Sequence, residues 1–138
     1  MFIYIIILLA VIDLIKTPFS LLTYIIGCAF IYWIGDVLKN LFKIKRPSGS
    51  FPYGCNPPKN YGMPSKDMFL CFFTIFFIYL KKKINRIFYL ILLITLVDFI
   101  FRYHCKYHSV LQMIVGAILG YIFALIFSLA NMHERKSR

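Results

Sequence analysis

Lys39-Asn-Leu-Phe-Lys43-Ile-Lys45-Arg46-Pro47 leads into a polar loop that closes on Tyr61-Gly62-Met63-Pro64-Ser65-Lys66-Asp67. Long apolar runs flank this stretch on both sides. Cations, proline stops, a loop of Gly, Pro and Asn, and a Ser opening the next apolar run belong at a membrane surface, and together they have the makings of an anion pocket. A second polar patch, Arg102-Tyr-His104-Cys105-Lys-Tyr-His108, again lies between two apolar runs. What the chain can do depends on whether the two patches meet.

Of the 138 residues, 61% are hydrophobic and 15% charged, and the mean hydropathy is +0.77. The apolar residues come in blocks separated by short charged segments, which is the pattern of an integral membrane protein. The length allows one domain, residues 1–138, built of a few helices. No internal repeat is visible. No small-residue cleavage site follows the first apolar run, so that run reads as a retained helix and not a removed signal peptide. The formal net charge of +11 would point to nucleic acid in a soluble protein. Here most cations sit at the ends of apolar runs, where they serve head groups, phosphates or topology, and nucleic acid is not an expected partner.

The expected fold is all-α: a polytopic membrane bundle of about five transmembrane helices with its site at the membrane interface. The first helix runs from Phe2 to about Ile15 and is short for a span, since about 20 residues cross the hydrocarbon core. The second runs from about Phe19 to Lys45 and is stopped by Pro47. The loop Pro47–Met63 carries Gly49, Gly54 and Gly62 and three further prolines. The third helix opens at Ser65, a good N-cap residue, and reaches about Leu80. The basic turn Lys81–Arg86 leads to a fourth helix, about Ile87–Tyr103. The fifth, about His108–Met132, carries Gly116 and Gly120 at a spacing that suits close helix packing. The tail His133–Arg138 is basic. Five spans put both polar patches on one face, with eight Lys and Arg there and eight on the other face. The positive-inside rule is therefore tied. If patch-side cations serve phosphate binding, the patch faces a lumenal or extracytoplasmic side.

Lys39 and Arg46 are seven apart, two turns along one helical stripe. Either they snorkel to the interface or they meet an anion. Ser65 is either a plain N-cap or, with the amides of the first turn, part of an anion cradle. Arg102 closes one helix and His108 opens the next, so a short turn lets the two converge. A helix N-terminus favours the neutral imidazole of His108, which is a nucleophile; the other reading is an interfacial His with a structural partner. Gln112, four residues on, is placed to hold one ring nitrogen. Asp98 and Arg102, also four apart, can pair, with Asp98 orienting the arginine. Cys28 and Cys71 read as packing residues. Cys55 and Cys105 lie in the two patch-side segments and can form a disulfide if that side is oxidising, which spacing alone does not establish.

Taken as a set, Lys39-x6-Arg46-Pro47, then Pro64-Ser65, then Arg102-x5-His108 resembles the three-part signature of the type 2 phosphatidic-acid phosphatase superfamily, the lipid phosphate phosphatases. The likeness runs from Lys39 to Gln112, with motifs in order. Tyr61-Gly-Met-Pro-Ser65 with His108-Ser-Val-Leu-Gln112 is most similar to the dolichyl-diphosphate phosphatase branch. The resemblance implies that Lys39, Arg46 and Arg102 hold phosphate oxygens, that Ser65 and nearby amides complete the cradle, and that His108 attacks phosphorus and forms a phosphohistidine. It implies no metal and no other cofactor. Concentrated positive charge can stabilise such a transition state.

Two departures stand out. The family has Pro-Ser-small-His where this chain has Pro64-Ser65-Lys66-Asp67, so the acid that protonates the leaving oxygen is replaced by Asp67. Asp67 can donate a proton only when protonated; nearby Lys66, Arg46 and Arg102 favour its carboxylate, while a bound diphosphate would oppose that. Lys66 is a candidate extra phosphate contact and His104 an alternative proton donor. Phe101 stands where motif three usually begins with Ser. A lipid monophosphate leaves a diphosphate with less need of protonation than an alkoxide leaves a monoester. The expected function is therefore hydrolysis of a (poly)prenyl diphosphate or related lipid phosphate. The alternatives are a catalytically impaired relative that binds lipid phosphate head groups without turnover, and a small structural membrane protein. The expected partners are the lipid substrate and membrane lipids, with a homodimer as an option.

Overall fold

The computed structural model describes residues 2–48, 52–56, 59–81 and 84–136, with side chains described to residue 130. Gly49 and parts of the Pro47–Met63 loop, Lys82 and Lys83 of the basic turn, and the side chains of the basic tail lie outside the described residues. The described chain is all-α, with no strand. In order, the helices are α1 (Phe2–Leu14), α2 (Pro18–Phe42), α3 (Lys66–Leu80), α4 (Arg86–His104) and α5 (Val110–Lys136). Within Pro18–Phe42, Arg86–His104 and Val110–Ala130 they are long and apolar enough to cross a membrane.

Helix ends follow local chemistry. Pro18 opens α2, where its missing N–H costs nothing. Asn85 caps α4, its Oδ1 accepting from the Phe88 amide at 3.0 Å, and its side-chain amide donates to Asp13 at the end of α1. The second helix ends three residues earlier than the sequence suggests. Lys43 is left-handed (φ 50°) and returns its N–H to the Lys39 carbonyl, so termination precedes Pro47. The fifth begins at Val110, two residues after His108. The α4–α5 turn is a Schellman closure: Lys106 is left-handed (φ 53°), the Lys106 amide donates to Tyr103 O and the Tyr107 amide to Arg102 O.

α3 is the axis of the bundle. At 15 residues it spans only about 22 Å by helix rise, yet Phe69, Phe73, Phe77 and Ile78 are fully buried, because α1, α2, α4 and α5 all pack on it. Its partners approach closely where side chains vanish. A Cβ on Gly116 would lie 2.5 Å from Ser65 O, and one on Gly120 would lie 2.5 Å from Phe69 O, so the Gly116/Gly120 pair does bring α5 onto α3. Opposite, the Tyr24 hydroxyl shares a 2.9 Å hydrogen bond with Thr74, and the Tyr24 ring stacks on Phe73 at 5.8 Å. The outward faces of α2, α4 and α5 are studded with exposed Ile, Leu and Phe, the surface a bilayer wants and water does not.

The close α3–α5 approach gives a direct expectation. Gly120→Val drives a side chain into the α3 backbone, which cannot yield as a side chain can. Overpacking of this kind destabilises by about 1–3 kcal/mol or more. Thermal unfolding in detergent should show that loss for Gly120→Val, while Ile118→Val, on the exposed side of the same helix, should change little.

Candidate active site

The two polar patches meet. The C-terminal ends of α2 and α4 and the N-terminal ends of α3 and α5 lie at one end of the bundle, and their connecting segments cross there. A disulfide links Cys55 of the long loop to Cys105 of the α4–α5 turn, with Cα atoms 5.4 Å apart. This is the pairing the sequence left open. Cys28 and Cys71 are free.

Arg46 does not ride on a helical stripe with Lys39, because α2 has ended before it. It stands instead in a non-helical segment, held where Ile44 O accepts the Gly62 amide at 2.8 Å. Its guanidinium reaches three partners. Nη2 donates to Asn60 Oδ1 at 2.8 Å; Nη1 donates to the Tyr107 carbonyl and lies 3.1 Å from His108 Nε2. Burial lowers the Arg46 pKa first, Asp67 raises it, and Arg102 lowers it again.

His108 is 2% exposed. Its Nδ1 is 2.8 Å from the Gly62 carbonyl. A carbonyl only accepts, so Nδ1 carries the proton and Nε2 carries the lone pair, which accepts from Arg46. Burial pushes the imidazole pKa down to about 3, and Arg46, Arg102 and Lys39 push the same way. The neutral state expected from the sequence is present, but its cause is desolvation and three cations. His108 precedes α5, and the helix end is not what holds it neutral.

Gln112 requires a correction. It does not hold the His108 ring. Its Nε2 donates to Lys45 O at 2.8 Å and its Oε1 accepts from the Ser109 amide at 3.1 Å, so it ties the start of α5 to the segment carrying Arg46. The tautomer is set by Gly62, from a loop 46 residues away in sequence.

Arg102 is buried between two carboxylates. Nε donates to Asp98 Oδ2 and Nη1 meets Asp67 Oδ2, both at 2.7 Å. Asp98 is 0% exposed, and the i,i+4 pair expected from the sequence is formed. Asp67 is thus engaged as an acceptor on Arg102. Lys66, one residue earlier, points elsewhere. Its ammonium pairs with Asp36 at 2.8 Å and lies 3.8 Å from the Tyr32 ring centroid, so the structure does not gather it with Arg46 and His108. Lys39 is 7% exposed and within electrostatic reach of His108. Ser65 is fully buried. Its Oγ caps α3 through the Met68 amide at 3.5 Å, and its own amide donates to Gln112 O.

A cleft of about 450 Å³, lined by Pro47, Ser48, Tyr103, His104, His108 and Ser109, reaches the cluster at His108. His104, the alternative proton donor, therefore shares a cleft with His108. Sequence reasoning missed Asn60 and Gly62. Neither sits in a spaced motif, and only the folded loop brings them to Arg46 and His108.

A neutral, oriented imidazole among three buried or half-buried cations is suited to phosphate chemistry. The sequence pattern of the PAP2 superfamily matches residues 19–136, and the chain belongs to that superfamily. Its members are phosphatases, which supports a hydrolase acting on lipid phosphate. Comparison with curated proteins and with solved structures gives no match.

The His108 environment fixes a pH dependence. Its folded pKa lies below the ordinary 6.5, so the unfolded chain binds the extra proton first as pH falls. Stability should therefore drop from about pH 6.5 toward pH 3, and this part of the drop should vanish in His108→Gln. Urea or thermal unfolding in detergent at pH 7, 5 and 4 checks it; an identical pH slope in wild type and variant would refute the assignment.

Proposed function

We propose that the protein hydrolyses a lipid diphosphate, of polyprenyl type, or a related lipid monophosphate at the membrane surface, through a phosphohistidine at His108. One observation carries the reading: His108 Nδ1 is locked onto Gly62 O, which leaves the Nε2 lone pair under the guanidinium of Arg46.

In the free protein Arg46 caps that lone pair. A phosphate entering the cleft draws the guanidinium onto its own oxygens and uncovers Nε2. Nε2 then attacks phosphorus, the bond from phosphorus to the leaving lipid oxygen breaks, and the electron pair leaves with that oxygen. Arg46, Arg102 and Lys39 neutralise the charge spread over the equatorial oxygens. The imidazole becomes cationic in the adduct, and its Nδ1–H bond to Gly62 O strengthens. Water attacks the phosphohistidine, the P–N bond breaks, phosphate departs and neutral His108 returns. No metal is needed for these steps, because the cations supply the charge. Asp98 orients Arg102 through its 2.7 Å bond.

Asp67 bears on the substrate. Its carboxylate lies on Arg102, the place a phosphate oxygen takes, so it competes with substrate and does not donate a proton there. A diphosphate, whose leaving group is already a good anion, tolerates this better than a monoester. The same contact supports a second reading, a relative that binds lipid phosphate without turning it over.

Phosphate release from polyprenyl diphosphate and phosphatidic acid by purified protein separates the two. His108→Ala should lower release at least a thousandfold, as removal of a covalent nucleophile does. Asp67→His should raise turnover of the monoester by about 10²–10⁴ if a missing acid limits it. Release that survives in His108→Ala would sink the phosphohistidine. Silence in wild type with gain in Asp67→His would establish the binding relative.

The cleft is proposed to face a lumenal or extracytoplasmic side, a reading supported by the Cys55–Cys105 disulfide, which persists in oxidising compartments. In sealed right-side-out vesicles, an impermeant reductant followed by an impermeant maleimide should label both cysteines. Labelling confined to inverted vesicles would reverse the topology.

A further inference from the structure

A groove of about 590 Å³ between α3 and α4 plays no part in the site above. Its walls are almost wholly apolar: Phe72, Phe76 and Tyr79 from α3, and Phe88, Leu92 and Phe99 from α4. The α4 residues lie in steps of three, four and seven back from Arg102, so they continue the Arg102 stripe of that helix. From Phe99 to Phe88 the groove runs about 16 Å by helix rise, roughly half the hydrocarbon core. On α3 it starts about a turn past Asp67, which holds Arg102.

The two ends have opposite chemistry. At the top are Arg102, Arg46, Lys39 and His108. Below is an open channel with an aromatic lining, at the depth where a bilayer holds only hydrocarbon. That is the profile of one amphiphile, an anionic head with a long flexible tail. The volume falls in the range of sites that enclose small ligands.

We propose that this α3–α4 groove holds the hydrocarbon tail of the lipid whose phosphate the Arg46–Arg102–His108 cluster binds, and that it sets chain-length selectivity. The inference rests on the phosphatase reading for the identity of the head group. The tail lies along Phe99, Leu92 and Phe88, and its head emerges beside Arg102. Flat Phe and Tyr faces suit an unsaturated prenyl chain, and each buried methylene adds to affinity.

Two measurements test it on the full-length protein in nanodiscs. In the first, a long-chain lipid phosphate with a diazirine in its tail is photolysed and the adducts are mapped. Adducts should fall on the α3 and α4 peptides that line the groove. Unlabelled lipid phosphate should compete them away, and the same tail on an uncharged head should not label them selectively. Adducts spread over the outer faces of α2 and α5, or cross-links joining two copies of the chain through the groove, would overturn the proposal. This measurement needs no turnover, so it still decides if the protein releases no phosphate.

In the second, Leu96→Trp partly fills the groove, and Leu93→Trp adds the same bulk to an exposed position on the same helix outside it. Leu96→Trp should lower the ratio of kcat/KM for a long-chain diphosphate to that for a short-chain one roughly tenfold. Leu93→Trp should leave the ratio unchanged. An equal effect of both, or of neither, would place the tail elsewhere while leaving the phosphatase reading intact.

Discussion

Arg46 joins the two halves of the site. Its guanidinium takes Asn60 from the long loop and the Tyr107 carbonyl and His108 from the α4–α5 turn. Tyr107 and His108 lie 61 and 62 positions along the chain from Arg46. Around it the other ties cooperate. Gly62 binds both Ile44 and His108, Gln112 binds Lys45, and the Cys55–Cys105 disulfide fastens loop to turn. Each hydrogen bond is short in reach and modest alone, about 1 kcal/mol for a typical one. Together they hold a polar crossing at the end of a bundle whose sides are apolar.

Burial is the second constraint, and it acts differently on the three kinds of group. A buried arginine must be paired, and Arg102 is, by Asp98 and Asp67 on opposite sides. A buried imidazole can shed its proton, and His108 does so because the nearby cations penalise its charged form as well. A carboxylate held on the arginine stays an acceptor. The same low-dielectric pocket thus yields clustered cations, an uncharged imidazole and a carboxylate held on an arginine. These are consequences of one arrangement, and altering any member shifts the others.

The helices were legible because apolar runs and their stops are local signals. Their number and order, the Ser65 start and the Gly116/Gly120 packing all rest on residues within a few turns of each other. The site was legible as a set of residue types but not as a set of contacts. Placing His108 inside a helix made Gln112 its natural i,i+4 partner; in fact His108 lies in a bend before α5 begins, and the Gly62 carbonyl arrives from a distant loop. Extending the second helix to Lys45 put Lys39 and Arg46 on one stripe, whereas left-handed Lys43 breaks it. Lys66 and Asp67 look like one charged pair in sequence. On a helix they point about 100° apart, so one meets Asp36 on α2 and the other Arg102 on α4. Nothing local announces Asn60.

The position of Asp67 connects these points. As the second residue of α3 it sits where the helix dipole favours a negative charge, and Arg102 adds a direct partner. Position and partner together hold the carboxylate on Arg102, so an Asp in place of a family His changes the contacts of the site and not proton supply alone. It places an internal carboxylate on the guanidinium that the proposed function assigns to phosphate. On that reading a substrate has to win Arg102 from Asp67, and a diphosphate brings more negative charge to the exchange than a monophosphate at the same distance. On the same reading the substitution filters head-group charge as well as leaving-group chemistry, and both favour a lipid diphosphate.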